Sequence, residues 1–233
     1  MLVAIHQPNF LPWLGFFDKI RRSDTFVVMD NAQFSKTGGT WTNRVQMMVN
    51  GEPGWITVPI VRAYHGFRAI SEMQINDQPP WRGKVVRTIE HNYHRAPYFE
   101  EVHPVIRELV EQPTNNLAAY NLNAIRTLCS ALRLTTPLVL GSTLNAAGRA
   151  TDLLIEMVRA AGGNAYLGGG GASGYQDDDR FRHAGIEVVY QDFQHPIYRQ
   201  LNTGDFKPGL SIVDALMNSG FDGVRTLLNG DAN

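Results

Sequence analysis

Short apolar runs, each followed by polar residues, set the pattern at the start of the chain. Residues 2–5 are apolar and lead into a polar loop at His6, which is typical of a buried strand. Over residues 13–22 the apolar side chains recur every three to four positions, as in an amphipathic helix. Residues 25–29 form a second apolar run that ends at Asp30. Strand, helix and strand in this order predict a βαβ unit and a parallel sheet.

The middle of the chain changes from strand patterns to helix patterns. Two β-rich runs, residues 45–49 and 55–61, lie on either side of Asn50-Gly51, a dipeptide that favours a tight hairpin turn. Residues 82–133 then show helical spacing with breaks at prolines. Strand and helix patterns alternate again afterwards, with strands predicted over 136–140, 165–167 and 186–190 and a helix over 150–161.

These patterns predict one α/β domain over residues 1–233. We expect a Rossmann-like three-layer sandwich that carries a β-hairpin and a helical subdomain inserted at about residues 82–133. A chain of 233 residues is long enough to bury a substantial core in such a domain.

The composition excludes several classes of protein. Lys and Arg total 21 against 22 Asp and Glu, which argues against a nucleic-acid or membrane-surface partner recognised through a broad basic face. The apolar runs are too short to span a membrane. A single cysteine, Cys129, excludes an intrachain disulfide and a thiolate zinc site, and it favours a reducing compartment. We therefore predict a cytoplasmic protein. Its many aromatic and few charged residues are compatible with a homodimer.

Polar side chains follow the first two predicted strands and form the leading candidate site. His6 and Gln7 come after the first strand, and Asp30 comes after the second. The carboxyl ends of parallel strands meet at one edge of a sheet, where open α/β sheets bind their ligands, so we expect these side chains to line one cleft. The helix start that follows offers N–H groups to an anion. Further candidate contacts near this cleft are Asn9, Gln33, Lys36, Asn43 and Arg44.

A second group of candidates follows the last predicted strand. His195 again comes after a strand, and Tyr198 lies three residues later. The four glycines 168–171 are expected to form a mobile lid over the cleft, because glycine permits positive φ and close backbone approach. Ser173 and Tyr175, just after these glycines, are then expected to contact the substrate.

Two other motifs point to cofactor or metal chemistry. The glycines of 169–174 fit a dinucleotide fingerprint, but only about ten residues separate them from the next strand, whereas the usual unit contains a full helix. His91 and His94 share one face of a predicted helix, yet no third metal ligand is identified. We predict no metal site and leave the cofactor open.

The stretch from His6 to Ile20, read as HQPNFLPWLGFFDKI, resembles the opening of the WbqC-like protein family. The resemblance continues along nearly the whole chain, and departures from it fall at residues 37–40 and 168–171. The further matching segments are Asp24-x-Phe26-Val27, Asp30-x-x-Gln33-Phe34-Ser35-Lys36, Trp41-x-Asn43-Arg44, Tyr93-x-x-Ala96-Pro97-Tyr98-Phe99, Tyr166-Leu167-x-Gly169, Gly174-Tyr175, His195-Pro196-x-Tyr198-x-Gln200 and Leu210-Ser211-Ile212-x-Asp214.

The resemblance implies an enzyme of surface-polysaccharide or natural-product assembly that acts on an activated sugar or an amino-acid-derived group. We predict a transferase that moves an acyl or aminoacyl group onto an amino group of such a small molecule. His6 or His195 would act as general base, since histidine titrates near neutrality, and Asp30 would orient a histidine or the amine. Gln7, Asn43 and Arg44 would bind polar or anionic parts of the substrate, and Lys36 would neutralise a phosphate or carboxylate.

Two alternatives stay open. The strand, His-containing loop and helix also resemble the start of HIGH-type nucleotidyltransferases, which suggests ATP-dependent nucleotidyl transfer or ligation. The second histidine of that pattern is absent here. A non-catalytic protein that binds a small molecule or serves as a scaffold for a pathway enzyme is the other alternative.

Overall fold

The structure is a computed structural model that describes residues 1–35, 40–169, 177–201 and 203–230. In chain order the elements are β1 (Leu2–His6), α1 (Leu14–Arg21), β2 (Thr25–Val28), β3 (Arg44–Val49), β4 (Glu52–Thr57), α2 (Trp81–Tyr93), α3 (Phe99–Glu111), α4 (Leu117–Ala131), β5 (Leu138–Leu140), α5 (Thr151–Ala160), β6 (Ala165–Gly168), α6 (Asp178–His183), β7 (Glu187–Tyr190) and α7 (Ile212–Asn229).

The chain forms two compact units, and each is built from three segments. Unit 1 comprises Met1–Pro8, Asp18–Ala32 and Leu134–Gln194. Unit 2 comprises Asn9–Phe17, Gln33–Arg133 and His195–Asn233. That the whole chain behaves as one domain stays a prediction.

Unit 1 contains a five-stranded parallel sheet with the order β5-β2-β1-β6-β7. Counted within the sheet alone, this order is 3-2-1-4-5, which is the order of doubly wound α/β sheets. The predicted α/β class is therefore confirmed. The predicted three-layer, Rossmann-like arrangement stays a prediction beyond this strand order.

The core of unit 1 explains why the first strand reads as a continuous apolar run. Val3 and Ile5 of β1 are at most 4% exposed and belong to one buried cluster with Val27 of β2. Helices α5 and α6 contribute Val158 and Phe181 to the same cluster. A parallel sheet with packed faces has no solvent side, so its strands lack the alternation of polar and apolar residues.

Unit 2 contains the hairpin and the predicted helical stretch. Asn50 and Gly51 have φ of 54° and 85°, the positive values that a primed two-residue turn requires. Strand β4 begins directly after this turn at Glu52, so the predicted strand over 55–61 was placed too far along the chain. The hairpin register pairs Met48 with Pro53. Helices α2, α3 and α4 confirm the prediction of a helical region over about 82–133.

Helix α7 was not predicted from the sequence. Its middle contains Ser219 and Gly220, which read as a turn, and Gly220 indeed leaves the helical conformation with φ of 68°. A Cβ at Gly220 would lie 2.6 Å from the ring of Tyr98, so the absence of a side chain lets the two parts of the helix pack against that ring.

Two further features are the environment of the cysteine and the character of the helices. Cys129 of α4 is buried, and burial raises the pKa of its thiol to about 12, as expected of an inert core cysteine. In the described part of the chain, every helix lacks the length or the apolar character needed to cross a membrane.

Candidate functional site

The carboxyl end of β1 in unit 1 places His6 beside a buried lysine. Lys19 of α1 is only 3% exposed, and its Nζ donates a hydrogen bond to the carbonyl oxygen of Ile5, 3.0 Å away. The same Nζ lies 5.8 Å from the ring centre of Tyr166 on β6. Among the described carboxylates, none forms an ion pair with Lys19. The charge of Lys19 therefore lies close to both β1 and β6, the neighbouring strands at which the strand order of the sheet reverses.

Burial and charge together perturb both groups. Burial, and to a smaller extent the charge of Lys19, lowers the pKa of His6 to about 4. Burial lowers the pKa of Lys19 from 10.5 to about 8. The prediction that His6 titrates near neutrality is wrong, because its protonated ring is poorly solvated and faces a cation. Near pH 7, His6 is neutral and Lys19 is mostly charged.

The tautomer of His6 follows from its partner. Nδ1 lies 2.9 Å from the carbonyl oxygen of Gln7. Because a carbonyl oxygen accepts and never donates, Nδ1 carries the proton in the neutral ring and Nε2 carries the lone pair. Nε2 is thus the atom of His6 that can accept a proton from a reacting group.

Asp30 lies at the end of β2, beside the end of β1, where the amide of Met29 donates to the carbonyl oxygen of His6 at 2.8 Å. The Asp30 carboxylate is 4% exposed and binds Ser142 through both oxygens. Oδ1 accepts from the Ser142 amide at 2.8 Å, and Oδ2 accepts from its hydroxyl at 2.7 Å. The structure therefore brings His6 and Asp30 to one edge of the sheet and gives Asp30 a partner that follows β5.

Asn31 adds a buried acceptor at this edge. Its Oδ1 has no hydrogen-bond partner among the described residues. This oxygen lies close to the end of β5, since a Cβ at Gly141, the residue after β5, would come within 2.9 Å of it. A buried acceptor without a donor is costly in a folded protein, and such a group is a natural contact for a ligand N–H or O–H.

The end of β7 is fixed to α1 by a second buried carboxylate. Asp18 is 5% exposed and accepts from Nε2 of Gln191 at 2.9 Å and from Arg21 at 3.0 Å. Arg22 donates to the backbone carbonyl of Gln191. Asp18 therefore forms its hydrogen bonds with residues other than its neighbour Lys19. Each of these two adjacent charged side chains is buried in α1 with partners of its own.

In unit 2, the ring of His195 packs against the Trp13 ring in a tilted arrangement. Their ring centres are 5.1 Å apart, with 33° between the ring planes. Burial lowers the pKa of His195. The indole of Trp13 folds over Gly15, where a Cβ would lie 2.3 Å from the ring. The Pro-Trp-Leu-Gly segment thus needs its glycine because the Trp13 ring occupies that space.

Tyr198, predicted to bind substrate, lies in a buried network around Asp214 in unit 2. The Asp214 carboxylate is fully buried and accepts from Tyr198 Oη at 2.7 Å, Tyr93 Oη at 2.9 Å and Gln200 Nε2 at 2.9 Å. The amide of Met48 in β3 donates to Tyr93 Oη at 3.0 Å. Burial raises the pKa of Asp214. The two segments near the end of the chain that resemble the family, the one with Tyr198 and Gln200 and the one with Asp214, are therefore joined by hydrogen bonds between their polar residues.

The Asn43-Arg44 pair divides into a buried and an outward-facing residue. Asn43 is 3% exposed, donates to the carbonyl oxygen of Val58 at 3.1 Å and has no described donor for its Oδ1. Arg44 places its guanidinium 4.1 Å from the ring centre of Trp55. Trp55 and Trp41 are 45% and 43% exposed, and their ring centres lie 5.2 Å apart.

The remaining candidates fall in different places. His6, Gln7 and Asp30 belong to unit 1, whereas the other described candidates belong to unit 2, namely Asn9, Gln33, Asn43, Arg44, His195 and Tyr198. Asn9 is buried, and Gln33 is exposed and forms a backbone bridge with Ala69. Lys36, Ser173, Tyr175 and the last two glycines of the run, Gly170 and Gly171, lie outside the described residues.

Sequence reasoning missed Lys19 as a member of the site. A lysine beside an aspartate in a helix reads as part of a solvated face, and burial of such a residue depends on the sheet around it. The signal that was available is the apolar residues that lie close to it in the sequence, Phe16, Phe17 and Ile20. Within the described ranges, no three His, Cys, Asp or Glu side chains are grouped as metal ligands, and His91 and His94 are both exposed.

Comparison with known proteins gives one family and one curated relative. The sequence model of the WbqC-like protein family matches residues 7–226. The uncharacterized protein Rv1507c of Mycobacterium tuberculosis is 32% identical over 220 residues, which cover 94% of this chain and 94% of that protein. No solved structure matches the chain. The family match begins one residue after His6 and includes Lys19, Asp30 and Asp214.

Proposed function

The chain belongs to the WbqC-like protein family, and from this premise we propose that it is a transferase of surface-glycan or natural-product biosynthesis. It moves an acyl or aminoacyl group onto an amino group of an amino sugar or amino-acid derivative, and an amide results. The observation that carries this proposal is the neutral His6 beside the buried cation of Lys19 at the carboxyl end of β1.

The reaction needs a proton carrier of this kind. The neutral amine attacks the acyl carbon, a C–N bond forms, and the carbonyl becomes an oxyanion. Nε2 of His6 takes the proton that the nitrogen loses, and it then gives that proton to the leaving group as the bond between the acyl carbon and the leaving group breaks. The pKa of about 4 makes the neutral ring a weak base, so it takes the proton only as the C–N bond forms and the nitrogen becomes acidic, and it makes the protonated ring a strong donor to the leaving group.

Lys19 supports this step by its charge. A positive charge held in a site of low dielectric constant stabilises a developing oxyanion more than the same charge in water. The hydrogen bond from Nζ to the Ile5 carbonyl fixes the charge one residue before His6. The unpaired Oδ1 of Asn31 supplies an acceptor for the N–H of the amine or of the product amide.

Incubation of the purified protein with acyl donors and amino acceptors tests the proposal. The donors are coenzyme A and carrier-protein thioesters, the acceptors are free and nucleotide-linked amino sugars, and mass spectrometry detects the amide. We expect His6→Gln to lower turnover by about 10²–10⁴-fold, the usual contribution of a general acid or base. His91→Gln, which changes an exposed histidine, is the matched control. Turnover by folded His6→Gln at the wild-type rate contradicts the mechanism.

A second candidate is ATP-dependent nucleotidyl transfer or ligation, and the strand order of the sheet favours it. Doubly wound sheets bind nucleotides at the point where the strand order reverses, and in unit 1 this point lies between β1 and β6, next to His6 and Lys19. Calorimetric titration with ATP and Mg²⁺ separates the two functions. Binding of ATP supports the second candidate, and the absence of heat together with an unchanged melting temperature contradicts it.

A further inference from the structure

Two neighbouring tryptophans form an exposed aromatic surface on unit 2. Trp41 and Trp55 are 43% and 45% exposed, and their ring centres are 5.2 Å apart with 54° between the planes. Large aromatic residues that stay in solvent side by side mark binding surfaces more often than isolated ones do. We propose that these two rings, with Arg44, form a binding site for the pyranose ring of a phosphate-linked amino sugar, and we name it the indole platform.

The platform is held from beneath by buried polar groups. Trp41 begins a turn whose next residue, Thr42, is fully buried and accepts from Nδ2 of Asn121 on α4 at 2.7 Å. Asn43 then binds Val58 in both directions, through its side-chain Nδ2 at 3.1 Å and through its backbone carbonyl at 2.7 Å. An exposed aromatic side chain on a backbone fixed in this way is preorganised for a ligand, so little ordering cost remains at binding.

The hairpin supplies the second indole and the polar groups around it. Val45 and Ile56 point inward and are buried, so the residues that alternate with them face outward. On that outward face Trp55 pairs with Gln46, and Arg44 pairs with Thr57. The outward face therefore places an amide, a hydroxyl and a guanidinium around the indole, which are the donors and acceptors that sugar hydroxyl groups require.

The geometry favours a sugar ring over a flat base. Two rings 54° apart cannot hold a flat base between parallel faces, whereas a pyranose can stack its C–H face on one indole and present an edge to the other. Arg44 lies 4.1 Å from the centre of the Trp55 ring and adds positive charge to the platform. This charge complements the phosphate of a sugar 1-phosphate or nucleotide sugar. The choice of an amino sugar rests on the proposed function.

Titration of the intrinsic tryptophan fluorescence tests the platform without any acyl donor. The probes are UDP-glucosamine, glucosamine 1-phosphate and UDP alone. We expect the two sugar probes to quench the fluorescence of the wild-type chain with saturation, and UDP alone to have little effect. Trp55→Ala and Trp41→Ala should each weaken binding by about tenfold, measured by calorimetry. Trp55→Phe should recover part of the loss, and Phe67→Ala, which removes another exposed ring, should bind like the wild type.

The platform and the proposed reaction fail in different ways. If UDP alone binds as well as UDP-glucosamine, the site is for the nucleotide and the sugar assignment is wrong. If Trp41→Ala and Trp55→Ala, with unchanged melting temperatures, bind the sugar probes like the wild type, the platform is not the site. Either result leaves the transfer reaction standing if amide product still forms. Sugar binding that the tryptophan variants lose, in a protein that forms no amide, supports the platform and overturns only the reaction.

Discussion

Replacement of the buried Lys19 by methionine should make the protein more stable at pH 7. The lowering of the Lys19 pKa from 10.5 to about 8 corresponds to about 3 kcal/mol of free energy that the charged form loses on folding. Methionine has a similar length and needs no solvation of a charge. It also loses the hydrogen bond to the Ile5 carbonyl, which is worth about 1 kcal/mol. We therefore expect Lys19→Met to raise the free energy of unfolding by about 2 kcal/mol at pH 7.

The size of this stabilisation depends on pH in a defined window. Between about pH 8 and 10.5 the unfolded lysine holds a proton that the folded one has released, so the wild type gains stability as the pH rises through this range. The advantage of Lys19→Met should therefore shrink from about 2 kcal/mol at pH 7 to about zero at pH 10. If the site depends on the Lys19 charge, the stabilised variant should also lose turnover, which is a common cost of a functional buried charge.

Urea unfolding of the wild type and Lys19→Met at pH 7 and pH 10 measures this difference. Lys84→Met, which changes an exposed lysine of α2, is the control and should differ from the wild type by less than about 0.5 kcal/mol at both values. The reasoning is refuted if Lys19→Met is less stable than the wild type at pH 7. It is also refuted if the difference between the two proteins is the same at both pH values.

Three other predictions concern packing and burial. Gly15→Ala should lower the free energy of unfolding by about 1–3 kcal/mol, seen in thermal melts, because the new Cβ would lie 2.3 Å from the Trp13 ring. Tyr198→Phe should cost about 1 kcal/mol in urea unfolding, because Asp214 loses one donor of three. Cys129 should react with a thiol reagent only as the protein unfolds, because the thiol is buried and its pKa is raised to about 12.

Each of these three predictions has a control variant or a result that would contradict it. Gly204→Ala should be neutral, because a Cβ there meets no described atom within 4 Å, and equal melting of both glycine variants would contradict the packing of Trp13. Tyr190→Phe changes an exposed tyrosine bound to Asp178, so a cost as large as that of Tyr198→Phe would argue against the Asp214 network. Labelling of the native thiol at the rate of a small free thiol would contradict its burial.

The sequence predicted the elements whose pattern is local. The apolar run of β1, the Asn-Gly turn and the helical spacing over 82–133 each depend on neighbours along the chain, and the structure contains all three. Helix α7 was not predicted: its Ser219-Gly220 pair is typical of a turn, and the close approach of Gly220 to Tyr98 involves a residue more than 100 positions away.

The candidate site was predictable only in part, for a similar reason. Strand ends identified His6 and Asp30, because polarity after an apolar run is a local signal. Lys19 became a candidate only when its burial was visible, and burial depends on a sheet assembled from distant segments. Asp214 receives one of its hydrogen bonds from Tyr93, 121 residues away, and no spacing in the sequence reports that contact.

The pairing of β1 with β6 also determines when the sheet can form during synthesis. Leu2 of β1 pairs with Ala165 of β6, so the edge of β1 that faces β6 stays unpaired until 163 more residues have been translated. At about 5–20 residues per second this delay is roughly 10 to 30 s. During that time an apolar strand with an unpaired edge leaves the ribosome without its neighbour, which exposes it to aggregation. We therefore expect cellular chaperones to bind the first 30 residues during synthesis, before the site to which those residues contribute has formed.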